Sequence, residues 1–175
     1  MRSCYVEGKR CAETLFFDYH RQHNLEIKVA RIFNIYGSRM HPEDGRVVSS
    51  FSLCRLSLAS LLQYMGTAPK LVLSATWTTS SRASSASWAR PEFIGPVNLG
   101  NPVEFTIRQL AEQVLALAGG GSKLIDQTLP EDDPKQRQPD ITLAQSELGW
   151  ELVVPLSDGL PKTIEYFKAL SSSGR

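Results

Sequence analysis

The sequence predicts an α/β fold, and three observations carry that prediction. Residues 3–23 are helix-patterned, and they lead into Glu26 to Asn34, an alternating run rich in branched and aromatic side chains. Farther on, Pro96 to Gly100 is a short apolar run that ends in a turn. After it, Ile107, Leu110, Ala111, Val114 and Leu117 recur at helical spacing. Strand patterns separated by helix patterns place helices against a sheet.

Taken in order, the first helix gathers Tyr5, Ala12, Leu15, Phe16 and Tyr19 toward one side, and Asn24 is its stop. The strand reading covers residues 26–34. Residues 35–46 form a polar loop with Gly37, Pro42 and Gly45, and a helix is expected from about Val47. Ser50 to Arg90 is rich in Ser, Leu, Ala and Thr, contains no acidic residue and holds no period, so it reads as a flexible insert or linker. The helix of Phe105 to Leu117 is closed by Gly119, Gly120 and Gly121, and Lys123 to Asp126 reads as a strand. Pro130 to Pro139 is a charged, proline-punctuated loop, followed by helices at Thr142 to Leu148 and Leu156 to Leu170.

Composition narrows the class. With 175 residues, 42% hydrophobic and 21% charged, the chain suits a globular protein able to bury a core. A net charge of +1 argues for neither nucleic acid nor an anionic membrane as partner. Cys4, Cys11 and Cys54 are odd in number and have no metal-ligand spacing, so they read as reduced thiols. The first residues lack a basic-then-apolar secretory pattern, because Glu7, Lys9 and Arg10 interrupt it, and no apolar run is long enough to span a bilayer. The expected location is the cytoplasm.

The chemistry centres on Tyr5 and Lys9. Four apart on a helix, they share a face. A free phenol titrates near ~10 and is a poor base, and an adjacent ammonium stabilises its anion, so the pair suits proton transfer with an alcohol under oxidation. Taken by itself, Tyr-x-x-x-Lys also describes the edge of any amphipathic helix.

Five ordered blocks go further. They are Tyr5 to Thr14, Val29 to Gly37, Arg39 to Val48, Gly95 to Pro102, and Asp132 to Pro134 continuing through Arg137 to Ile141, with Leu148-Gly149-Trp150 after them. On these runs the chain resembles the UDP-glucuronate decarboxylases (UDP-xylose synthases) of the extended short-chain dehydrogenase/reductase family. The resemblance implies the C-terminal half of an NAD(P)-binding Rossmann-like fold with its small substrate-binding subdomain. The implied cofactor is NAD, the substrate a UDP-sugar, and the intact enzyme a homodimer. The implied reaction is decarboxylation of UDP-glucuronate to UDP-xylose through a 4-keto intermediate, with NAD recycled internally. Neither the Gly-rich turn that holds the NAD pyrophosphate nor the Ser/Thr-Ser-Glu strand end precedes Tyr5, so this chain by itself is expected to be inactive.

The resemblance also assigns roles. Tyr5 is the base and Lys9, catalytic with it, holds the nicotinamide ribose and favours the Tyr5 phenolate; Tyr5, Lys9, Ile35, His41 and Arg46 lie at cofactor positions. Tyr19, Gln22, Asn34, Arg46 and Arg137 lie at substrate positions. Core packing explains Tyr19 nearly as well, turn capping explains Asn34, and Trp150 reads as packing. Ile35 stands where the family usually has threonine, Ser38 where it has proline, Gln138 where it has lysine, and Val103 where it has glycine, which implies strain at a turn wanting positive φ. The alternatives are a neighbouring sugar-nucleotide epimerase or 4,6-dehydratase, and a non-catalytic dimerisation fragment.

Three regions follow: residues 1–50 with the catalytic helix and substrate loop, 51–91 as an atypical and disordered segment, and 92–175 as the substrate-binding subdomain with the C-terminal helices. Residues of about 51–90 also read as out-of-frame translation. Regrouped from the third base, the codons of Gln63 to Thr78 permit the family stretch ending Gln-Thr-Arg-Ser-Phe-Cys-Tyr-Val-Asp-Asp, and those of Arg82 to Arg90 permit Ala-Gly-Leu-Leu-Arg-Leu-Met-Gly-Ala.

Overall fold

The computed structural model describes residues 3–42, 48–49, 61–65, 71–72, 76–119, 123–127 and 138–173. Helix α1 runs Ser3–His23, and Asn24 ends it in the left-handed conformation, at φ 51°, that asparagine tolerates. The His20 ring donates from Nδ1 to the Leu25 carbonyl (2.7 Å), which folds the chain back toward strand β1, Ala30–Ile32. β1 pairs in parallel with β4, Val97–Leu99, in the register Ala30 with Val97 through Ile32 with Leu99. Bonds from Val29 to Ile94 and from Phe33 to Leu99 extend this pairing beyond both ends of the strand. Gly95, at φ +95°, sits where any Cβ would collide with the Val29 carbonyl, so the close approach of the two strands requires glycine there.

The segment expected to be a structureless insert is corrected by its described parts. β2, Leu61–Met65, pairs in parallel with β6, Lys123–Gln127. β3, Leu71–Val72, pairs antiparallel with β5, Glu104–Phe105. Helix α2 runs Trp77–Trp88. The helix holds neither Gly nor Pro, so its backbone is free to coil once neighbours cover one side. The period was invisible because the covered positions are Thr79, Ser80, Ala83 and Ser87, which are buried yet barely apolar. Lys28 closes the far end of α2, its ammonium donating to the carbonyls of Arg90 (2.6 Å), Pro91 (3.1 Å) and Phe93 (2.7 Å).

Neither the Ser80 nor the Ser87 hydroxyl finds a hydrogen-bond partner among the described residues. A buried, unpaired hydroxyl costs about 1–3 kcal/mol. Ser87→Ala is therefore expected to raise the thermal midpoint by about 2–4 °C. An unchanged or lowered midpoint would show that the hydroxyl is satisfied.

The remaining helices follow the sequence closely. α3, Ile107–Ala118, opens on a capping box, in which Thr106 Oγ1 accepts from the Gln109 amide (3.0 Å) and Gln109 Oε1 from the Thr106 amide (2.8 Å). α4, Thr142–Leu148, ends on a left-handed Gly149. α5 runs Leu156–Ser172. Val103, expected to strain a positive-φ turn, does not: among described non-glycine residues, positive φ is confined to Asn24 and Arg39. Instead, the Val103 amide donates to Asn101 Oδ1 (2.9 Å).

Two cores result. One joins α3 to α5 through Leu110, Ala111, Val114, Leu156, Leu160 and Ile164, with Tyr36 and Val48 packed in. The other joins α2, β4 and α4 through Ala83, Val97, Leu99, Ala144 and Leu148, with Trp150 donating its indole N–H to the Thr79 carbonyl (3.0 Å). Trp150 is thus a packing residue, as its sequence context suggested.

Tyr36 is 2% exposed, and its hydroxyl lies against Gly159, where any Cβ would strike it. Burial pushes this phenol up to about 12, and the Asp158 carboxylate pushes in the same direction. An unfolded chain releases that proton near ~10, whereas the folded chain keeps it. The contribution is therefore fully present below pH ~10 and is lost as pH rises toward about 12. Tyr36→Phe is expected to flatten the decline in urea stability over that window. A decline of equal steepness in the variant would exclude Tyr36 as its source.

Candidate functional site

In a parallel pair both strands end on the same side, and ligands bind beyond those carboxyl ends. After β1 come Phe33, Asn34, Ile35 and Tyr36; after β4 come Gly100 and Asn101. Gly100 lets two segments close over it: a Cβ there would press on Pro139 and on Phe33. Gln138 donates to the Pro102 carbonyl (3.0 Å), and Asn98 donates to that of Asp140 (3.0 Å). The stretch 138–140 is thereby held beside the strand end that presents Asn34. Asp140 turns its carboxylate to the Thr142 amide (3.0 Å) at the start of α4, and the Thr142 hydrogen bonds lower its pKa.

Helix α1 brings Tyr5 and Lys9 to the same face, with the ammonium 5.5 Å from the centre of the phenol ring. Tyr5 is 69% exposed. α1 runs back along β1, and the two are tied by a fork: Arg31 Nε donates to Glu13 Oε2 (2.9 Å) and Nη2 to Oε1 (2.5 Å). The hydrogen bonds from Arg31 hold the Glu13 carboxyl below its ordinary 4.5. The tie is therefore complete above that value and is lost as pH falls through the lowered one.

From this fork, Tyr5 lies eight helical residues away, roughly 12 Å along the axis. Asn34 lies three residues along the strand, roughly 10 Å in the same direction. Counted along an ideal helix and strand, Tyr5, Lys9 and Asn34 lie to the same side of the fork. Ile35 is half-buried beside Asn34, and His41 is exposed on the following loop. Tyr19 stacks at a tilt on His23, with ring centres 5.4 Å apart, and Gln22 is exposed near the far end of α1, away from the strand end. Arg46 and Arg137 lie outside the described residues. The sequence reading missed Glu13 and Arg31; the available signal was a carboxylate one turn after Lys9 and an arginine inside an otherwise apolar strand.

The model of the NAD dependent epimerase/dehydratase family matches residues 1–66. The chain is also 47% identical over 171 residues to UDP-glucuronic acid decarboxylase 5 of Arabidopsis thaliana, covering 96% of this chain and 49% of the relative. Over residues 1–66 the chain is thus similar to the NAD dependent epimerase/dehydratase family.

It spans about half the length of the curated relatives it matches. Among solved structures of the same fold is UDP-glucose 4-epimerase with UDP-glucose from Thermotoga maritima, at TM-score 0.84 and 24% identity, covering 93% of this chain and 52% of that one. Another is UDP-glucuronic acid 4-epimerase from Bacillus cereus in complex with UDP-glucuronic acid and NAD, at TM-score 0.79 and 23% identity, covering 90% and 50%. The partial Rossmann-like α/β fold expected from the sequence is the fold found. For a dinucleotide the fit is divided. Tyr5 and Lys9 form a solvent-facing pair suited to a ribose and a reacting alcohol, whereas the sequence holds no Gly-x-Gly-x-x-Gly turn for the pyrophosphate.

Proposed function

We propose that this chain is the sugar-nucleotide half of a UDP-glucuronate decarboxylase, a carboxy-lyase that converts UDP-glucuronate to UDP-xylose and CO₂. The observation that carries the reading is 47% identity to a decarboxylase along 96% of the chain. The placement of Tyr5, Lys9 and Asn34 to one side of the fork supports it.

NAD, bound largely by a half that this chain does not contain, would supply a reversible hydride sink at the sugar. Tyr5 takes the proton of the C4 hydroxyl as that carbon becomes a ketone. The ketone lies β to the C6 carboxylate and accepts the electron pair when CO₂ leaves. After C5 is protonated, Tyr5 returns its proton to the C4 oxygen as the ketone is reduced. Lys9 binds the nicotinamide ribose, with Ile35, His41 and Arg46 around the cofactor. Asn34, Arg46 and Arg137 serve the substrate, the two arginines by forked bonds to carboxylate or diphosphate.

The proposal includes a cytoplasmic homodimer, supported by free Cys4 and Cys11 and by the exposed apolar side chains Val6, Leu15, Phe16 and Tyr19 on α1. It also includes the three-region division at 51 and 91, with codons of about 51–90 read out of frame. In the shifted frame position 87, which is buried, becomes leucine, and the coding DNA decides this directly. The functional test is to co-express the chain with the N-terminal half of the Arabidopsis relative and to measure CO₂ and UDP-xylose. The 175-residue chain by itself is expected to give neither.

A further inference from the structure

We infer that Glu13 and Arg31 are positioning residues: their ion pair sets the axial register of α1 on β1 and so holds Tyr5 and Lys9 level with Asn34. The inference rests on the roles proposed above for those three residues.

A helix is usually seated on a strand by interlocking apolar side chains. Here that seat is thin. Ala30, Arg31 and Ile32 are all exposed, and Tyr5, Val6, Leu15, Phe16 and Tyr19 on α1 face solvent. Among the described residues, the other α1 ion pairs, Glu7 with Arg10 and Asp18 with Arg21, join residues of the helix to each other and leave its placement free. Glu13 with Arg31 crosses from helix to strand, spanning 18 residues of sequence.

The geometry of the pair is also restrictive. Two parallel N–H···O bonds from a planar guanidinium fix direction as well as distance, which a lysine does not do. A slip of α1 by one residue would advance it about 1.5 Å and turn it about 100°, carrying the phenol off the strand end. Displacements of that size cost catalysis about a hundredfold. Glu13 lies one turn beyond Lys9 on the same flank, so the fork acts close to the residues whose placement it sets.

Two readouts test this. In hydrogen–deuterium exchange on the 175-residue chain, Glu13→Gln is expected to speed exchange across 3–23 about threefold relative to α3 and α5, as befits a half-exposed pair. Unchanged exchange in α1 overturns the inference. Where Glu13→Gln also strips protection from α3 and α5, Arg31→Lys, which keeps the charge and loses the fork, is compared in the same way. In the reconstituted enzyme, Glu13→Gln is expected to lower kcat about tenfold with KM for the sugar nucleotide within twofold. The exchanged pair Glu13→Arg with Arg31→Glu is expected to recover most of that loss. An exchanged pair no better than the single variant overturns the positioning role. Absence of turnover in the unsubstituted reconstituted enzyme counts against the proposed function instead, and the exchange measurement still decides the register.

Discussion

Tyr5→Phe, in an enzyme reconstituted from this chain and a dinucleotide-binding half, is expected to lower kcat for CO₂ release by about 10²–10⁴-fold, the range of a positioned proton-transfer group. The substitution is narrow. Phenylalanine keeps the ring, so the Lys9 ammonium retains an aromatic face at 5.5 Å and α1 keeps its apolar surface. Only the oxygen proposed to accept the C4 proton is removed. Because that proton moves in the reaction and not on binding, KM for the sugar nucleotide should change little. A tenfold rise in KM with kcat intact would instead mark Tyr5 as a binding group. A kcat within threefold of the unsubstituted enzyme would remove Tyr5 from the chemistry and take the decarboxylase mechanism with it. CO₂ evolution distinguishes this activity from that of an epimerase, which conserves every carbon of its substrate.

The second large effect concerns stability. Phe167→Ala is expected to lower the free energy of unfolding by about 3–5 kcal/mol, measured by urea denaturation. Phe167 is the largest fully buried side chain among the described residues and continues the α5 stripe of Leu156, Leu160, Thr163 and Ile164. Its ring meets the edge of Tyr166 with centres 5.4 Å apart, a contact that alanine removes along with the buried area. A domain is stable by only ~5–15 kcal/mol, so a loss of this size leaves a large unfolded fraction. Phe167→Leu, which retains most of the volume, should lose much less. If alanine costs under 1 kcal/mol, the α5 stripe is not the seat of the core.

The contrast between α3 and α2 shows where the fold was legible. α3 carries Leu110, Ala111 and Val114 on its buried face and its own capping box, so its pattern and its start were both written locally. α2 buries Thr79, Ser80, Ala83 and Ser87, residues that small polar loops also use. Its helicity is decided by the strand and by α4 packed against it, and by Trp150 reaching across to the Thr79 carbonyl. Strands β2 and β3 were missed for a related reason, since each depends on a partner more than 30 residues away in sequence.

The candidate site divides in the same way. That Tyr5 and Lys9 share a face was fixed by the sequence, because a separation of four residues on a helix leaves no other outcome. The stop at Asn24, the cap at Thr106 and the turn at Gly149 are likewise contacts within a few residues of chain. Tertiary structure decided the rest. It brought Pro139 and Phe33 together over Gly100, buried the Tyr36 hydroxyl against Gly159, and joined Glu13 to Arg31. No local period encodes those meetings. Each joins chain segments whose separation closes only when the whole fold forms.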